Sequence, residues 1–112
     1  MFTISSPHAG ARLTNLGTLN QLHRDMRPDS ELMVYLAEQD KLAAYQLYPY
    51  VCKGDWIVGE EYAAPPGREP LWLAGHSLQL GLDPHRGSWY DARILADILR
   101  RLRGEPAFSA VP

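Results

Sequence analysis

This chain lacks most of the features that announce a function. It has one cysteine, Cys52, and so no internal disulfide, which points to a reducing compartment, the cytoplasm. No apolar run approaches the ~20 residues of a membrane-spanning helix. The opening Met1-Phe2-Thr3-Ile4-Ser5-Ser6-Pro7-His8 has neither the basic flank nor the apolar core of a signal peptide, so export is not expected. Glycines occur singly, with no glycine-rich run ahead of a helix to cradle a phosphate. Repeats, low-complexity tracts and interdomain linkers are missing as well. Lysine is scarce, Lys41 and Lys53 standing beside nine arginines, a usage that with abundant Leu, Ala and Gly points to a GC-rich bacterial or phage genome.

What is present is ordinary for a folded protein. The 112 residues are 46% hydrophobic and 21% charged, with a formal charge of −2. That length makes one domain, residues 1–112, able to bury roughly 65% of its unfolded surface without staples. Residues 1–10 and 105–112 read as loose tails. The slight negative charge argues against a protein whose main task is to neutralise phosphates.

Periodicity predicts an α+β domain: an antiparallel meander of about four strands flanked by an N-terminal and a C-terminal helix. Leu16, Leu19, Leu22 and Met26 recur at helical spacing, giving a helix from about Asn15 to Arg27 with Thr14 as N-cap and Pro28 as stop. In residues 31–48 the polar run Glu38-Gln39-Asp40-Lys41 separates two apolar runs. This reads as a hairpin, Leu32 to Ala37 and Leu42 to Leu47, with one long helix as the alternative. Tyr48-Pro49-Tyr50 ends the second strand. Trp56, Val58 and Tyr62 alternate in a third strand, and Leu71 to Leu80 form a fourth. Gly87-Ser88-Trp89-Tyr90-Asp91 reads as a capping box that opens the last helix. Its apolar arc, Tyr90, Ile94, Leu95, Ile98, Leu99 and Leu102, should pack on the sheet, and Gly104 with Pro106 should end it. Trp56 and Tyr62 share one face of the third strand, while Trp72 takes the parity opposite to Leu71 and Leu73. Both sheet faces then carry large apolar groups, and a homodimer through the sheet or its edge is expected.

No chemical motif is complete. Leu73-Ala74-Gly75-His76-Ser77-Leu78-Gln79 resembles the nucleophile elbow of α/β-hydrolases, and that resemblance would make Ser77 a nucleophile. It covers about six residues and breaks at Gln79, where the elbow needs a small residue. The histidines His8, His23, His76 and His85 are scattered, and Cys52 has no partner at ligand spacing, so no metal or cofactor is expected. Asp83-Pro84-His85 reads as a turn. Glu60 and Glu61 are adjacent, so on a strand they point to opposite faces and cannot pair as acid and base.

Aromatics are what the chain has in excess. Eight of eleven, Tyr45, Tyr48, Tyr50, Trp56, Tyr62, Trp72, Trp89 and Tyr90, lie in less than half its length. Tyr, Trp and Arg dominate the energetic centres of protein interfaces. On the last helix Trp89, Arg93 and Arg100 fall opposite the apolar arc, where Trp89 and Arg93 are spaced for a cation–π contact. Tyr48 and Tyr50 flank Pro49 at a strand end. These five residues are the expected partner-binding set of a non-enzymatic regulator that binds and inhibits or sequesters a larger cytoplasmic protein. A nucleic-acid-binding regulator using the arginine-rich helix is the alternative. A small hydrolase using Ser77 is the third reading.

Overall fold

A computed structural model describes residues 1–16, 20–73 and 84–107. Within them the strands β1 (Phe2–Ile4), β2 (Tyr48–Cys52) and β3 (Leu71–Leu73) form a sheet in the order β1-β2-β3, with both pairs parallel. The helices α1 (Gln21–Asp25) and α2 (Glu31–Leu42) connect β1 to β2, and α3 (Pro84–Gly87) and α4 (Ala92–Leu102) follow β3. The antiparallel meander of about four strands is therefore wrong. Parallel pairs require crossovers of a dozen residues or more, which the chain supplies twice. Their strands also read as short apolar runs rather than as alternating patterns.

β2 shows how that signal hides. All its residues but Tyr48 are buried, so it offers no alternation. Pro49, expected to end a strand, sits inside this one. Tyr48 N–H donates to Met1 O at 2.8 Å, and Tyr50 O accepts from Ser5 N–H at 2.9 Å. Alternation then turns the Pro49 nitrogen toward β3, at a level below the first paired residues, Tyr50 and Leu71. A missing N–H costs nothing there.

Residues 31–42 form α2, not a hairpin strand. Ser30 caps it, accepting from Met33 N–H at 3.1 Å. Glu31 in the first turn and Lys41 in the last complement the helix dipole, and Lys41 pairs with Glu38 at 2.7 Å. The polar run breaks only a face that must be continuous, and α2 buries Met33 alone. The expected third strand is also absent. Asp55 accepts from Ile57 N–H and Val58 N–H, a side-chain turn, and Glu60–Tyr62 make a 3-10 turn. Of the fourth strand Leu71–Leu73 form β3; Ala74 to Leu80 lie outside the described residues.

The expected first helix divides into a 3-10 turn, Arg12–Leu16, and α1, whose cap is Asn20. Thr14 is buried and donates to Ala11 O at 2.6 Å. Residues 9–12 are tied to distant parts of the chain. Ala9 N–H reaches Tyr62 O at 3.0 Å, Ala11 N–H reaches Met26 O at 2.8 Å and Arg12 N–H reaches Val58 O at 2.8 Å. At Gly10, φ is +101° and an added Cβ would lie 2.6 Å from the Pro28 backbone, so only glycine fits.

At the C-terminus Ser88 does not cap α4. Its Oγ donates to His85 O at 2.7 Å and meets Ser5 Oγ at 3.1 Å. Ser88–Tyr90 form a 3-10 turn, and Asp91 is the cap, accepting from Arg93 N–H at 2.9 Å. α4 therefore starts three residues later than the box implied. Its Ile94 and Ile98 pack on the sheet face made by Phe2, Ile4, Tyr50, Cys52 and Leu71. Val51 faces the other way, into Val58 and Ala63 of the β2–β3 connection. The molecule is a slab of 41 × 36 × 18 Å, too thin to enclose its helices on more than one side.

Candidate interaction surface

The five expected partner residues separate into two groups. Tyr50 is only 5% exposed, and its hydroxyl donates to Asp97 Oδ2 at 2.6 Å. Burial, and then Asp97, push its phenol well above the usual range. It belongs to the core and is withdrawn as a contact residue. Tyr48 stacks on Phe2 with ring centroids 5.0 Å apart and carries the Arg101 guanidinium 4.7 Å from its ring. Arg101 in turn donates to Asp97 Oδ2 at 2.8 Å. These residues fasten α4 to β2, which is why aromatics flank Pro49.

The second group lies at the α4 surface. Trp89 is 49% exposed and Tyr90 82%. Trp89 sets its ring edge-on to His85, with centroids 5.6 Å apart. Arg93 donates to the Asp91 carboxylate through Nε at 3.0 Å and Nη2 at 2.6 Å, holding that carboxyl below its ordinary range. Arg100 donates from Nε to Pro106 O at 2.6 Å. Trp89 thus meets His85, and Arg93 is held by the Asp91 carboxylate.

Sequence reasoning placed Tyr90, Leu95, Leu99 and Leu102 in the core. All four are exposed. At 100° per residue, Ile94, Asp97, Ile98 and Arg101 span the inward arc. Leu102, Leu95 and Leu99 form the adjoining arc, which the sheet leaves exposed. Arg103 lies beside it, its side chain two-thirds exposed. The resulting strip combines leucines, two aromatics and arginines. Trp56, Trp72 and Tyr45, which the sequence reading places on strands, are exposed too. Tyr45 lies against Arg68, which also binds Asp40 through Nε at 2.8 Å.

A pairing with chemical potential was missed because it joins residues 30 apart. The buried Asp55 Oδ2 lies 2.8 Å from His85 Nδ1, within hydrogen-bond distance. The pair ties α3 to the start of the β2–β3 connection, and neither described cavity includes it. One cavity, about 460 Å³, lies between α2 and residues 6–8 and is lined by His8, Asp40 and Tyr45. His8 Nε2 meets Thr3 Oγ1 at 2.8 Å, and Asp40 accepts from Arg68 and Tyr45. The other, about 630 Å³, is walled by Pro65, Pro66, Pro70 and Trp72. The Cys52 thiol is pushed up to about 11 by burial and by Asp55, which leaves it protonated and unreactive at neutral pH. Ser77, His76 and Asp83 lie outside the described residues. Among those described, no three His, Cys, Asp or Glu side chains come together to hold a metal ion, and no helix is long and apolar enough to cross a membrane.

No protein-family model, curated protein or solved structure matches this chain.

Proposed function

We propose that this protein is a non-enzymatic regulator of the cytoplasm that works by covering a surface on a larger protein, in the manner of a small bacterial or phage antagonist, anti-activator or immunity factor. One observation carries the reading: α4 presents Leu95, Leu99 and Leu102 to solvent in one arc, with Trp89 and Tyr90 at its start. Scattered exposed leucines are normal, but a contiguous apolar strip with aromatic anchors is the composition of an interface. Residues 91–103 carry Arg93, Arg100, Arg101 and Arg103 against Asp91 and Asp97. The partner's complement is an apolar groove rimmed by carboxylates, the charge pattern that guides encounter and register.

The test uses the full chain as bait in its native host, beside a Leu95→Glu/Leu99→Glu variant. One captured protein should be lost from the variant, and titration of that purified protein should show at least a hundredfold weaker binding while the variant's denaturation curve stays unchanged. Equal binding by the folded variant would remove α4 from the interface. Salt-dependent capture of oligonucleotides in its place would support the nucleic-acid reading.

A further inference from the structure

The cavity between α2 and residues 6–8 has walls of two kinds. Pro7, Leu36, Ala37, Ala43 and Pro65 make most of it apolar, while His8, Asp40 and Tyr45 supply polar atoms. Its volume of about 460 Å³ falls within the range of pockets that hold small molecules. The polar wall is braced from behind. Arg68 donates to Asp40 Oδ2 at 2.8 Å and to Asp40 O at 3.2 Å, and its guanidinium lies 5.4 Å from the Tyr45 ring. The Tyr45 hydroxyl donates to Asp40 Oδ1 at 2.7 Å. A tyrosine so held has its ring and its phenolic oxygen in place before anything binds, which lowers the entropic cost of binding.

Charge and hydrogen-bond capacity limit what this cavity accepts. Asp40 is paired with Arg68. Burial holds the His8 imidazole below its ordinary range against the pull of Asp40, so it is uncharged at neutral pH. The Met1 ammonium is exposed and donates to Gln46 O at 2.7 Å, and an exposed charge adds little in water. A charged ligand would therefore give up hydration without gaining a buried counter-ion. Hydrogen bonding is what remains open. His8 Nε2 meets Thr3 Oγ1 at 2.8 Å, and among the described residues no second partner engages the ring. No buried side-chain nitrogen or oxygen among them lacks a partner, so the unengaged Nδ1 is accessible. The Tyr45 oxygen, its proton directed to Asp40, still has a lone pair to accept with. A hydroxyl suits both atoms. It accepts from Nδ1 if that nitrogen carries the proton, donates to it if it does not, and can donate to Tyr45 in either case. We infer that this cavity is a binding site for a small uncharged molecule with an apolar body and a hydroxyl group, the body against the apolar wall and the hydroxyl between His8 and Tyr45. The inference does not rest on the proposed role of α4.

Amide correlation spectra of the full chain titrated with 2-naphthol test it, with naphthalene and 2-naphthoate as controls. The probe should shift the amides of Ser6, His8, Ala37, Asp40 and Tyr45 and saturate with a dissociation constant of about 1 mM or tighter. Naphthalene, which lacks the hydroxyl, and 2-naphthoate, which brings a charge, should each bind about tenfold more weakly. Ala37→Trp fills the cavity and should abolish the shifts. Tyr45→Phe keeps the ring and removes the phenolic oxygen. It should weaken 2-naphthol about fivefold and leave naphthalene unchanged, a selective loss that damage to the fold does not produce. The absence of shifts at these amides overturns the inference, as does saturation that survives both substitutions. Equal binding of all three probes overturns the assignment of an uncharged, hydroxyl-bearing ligand.

Discussion

α2 and α4 are of similar length and similarly rich in leucine, yet they hold different places in the molecule. α4 buries Ile94 and Asp97, and through Asp97 and Arg101 it grips Tyr50 and Tyr48 of the central strand. α2 buries Met33 alone. The difference lies in how the apolar residues are distributed. In α4 they gather on one side, so that half the arc seals the sheet and half is left exposed. In α2 they spread around the helix, and the single methionine that faces inward is a small anchor for 12 residues. Stability should therefore respond to α4 far more than to α2.

The strongest test of this contrast is Ile94→Ala, which empties a site only 1% exposed. It should cost about 2–5 kcal/mol in urea unfolding, whereas Leu42→Ala on α2 should stay within about 0.5 kcal/mol. Equal costs would mean that α2 is packed more deeply than its exposure allows. Tyr50→Phe comes next. It removes the hydroxyl that fastens β2 to Asp97, leaving a buried carboxylate short of a donor, and should cost about 1–3 kcal/mol.

The smallest expected effect is at the α4 cap, where Asp91→Asn keeps an acceptor but loses the charge that holds Arg93. Because Asp91's folded carboxyl lies below its ordinary 3.8, its charge stabilises the fold fully above that value. This contribution is lost as pH falls through the depressed value. The stability gap between wild type and Asp91→Asn should therefore be widest near neutrality, a few tenths to about 1 kcal/mol, and close in acid. A gap independent of pH would show that the ion pair contributes nothing.

The C-terminal helix was the most legible part of the chain, since Ile94 and Ile98 at helical spacing and the stop at Gly104 are local signals. Its exact start was not. Ser88 and Asp91 both have capping chemistry, and the choice between them depended on His85 and Ser5, the latter 83 residues away. α2 also left local marks, Ser30 before it, Glu31 at its head and Lys41 at its tail. They were outweighed by a polar interruption that matters only when a helix face is buried. β2 was hidden because a strand covered on both faces has no period to read. Tyr50 was misjudged for a related reason: a tyrosine after a proline looks exposed unless its buried partner, Asp97, is known to lie opposite.

The sequence by itself determined a lone cysteine, a C-terminal helix with its stop at Gly104, and a surplus of apolar and aromatic side chains. Those properties follow from composition and from contacts within a few residues. Only the tertiary structure decided that the strands run parallel, that Tyr48 and Tyr50 fasten α4, and that Leu95, Leu99 and Leu102 are left exposed. Each depends on which distant segments share a face, and hydrophobic burial, having no direction of its own, leaves that choice to the whole packed chain.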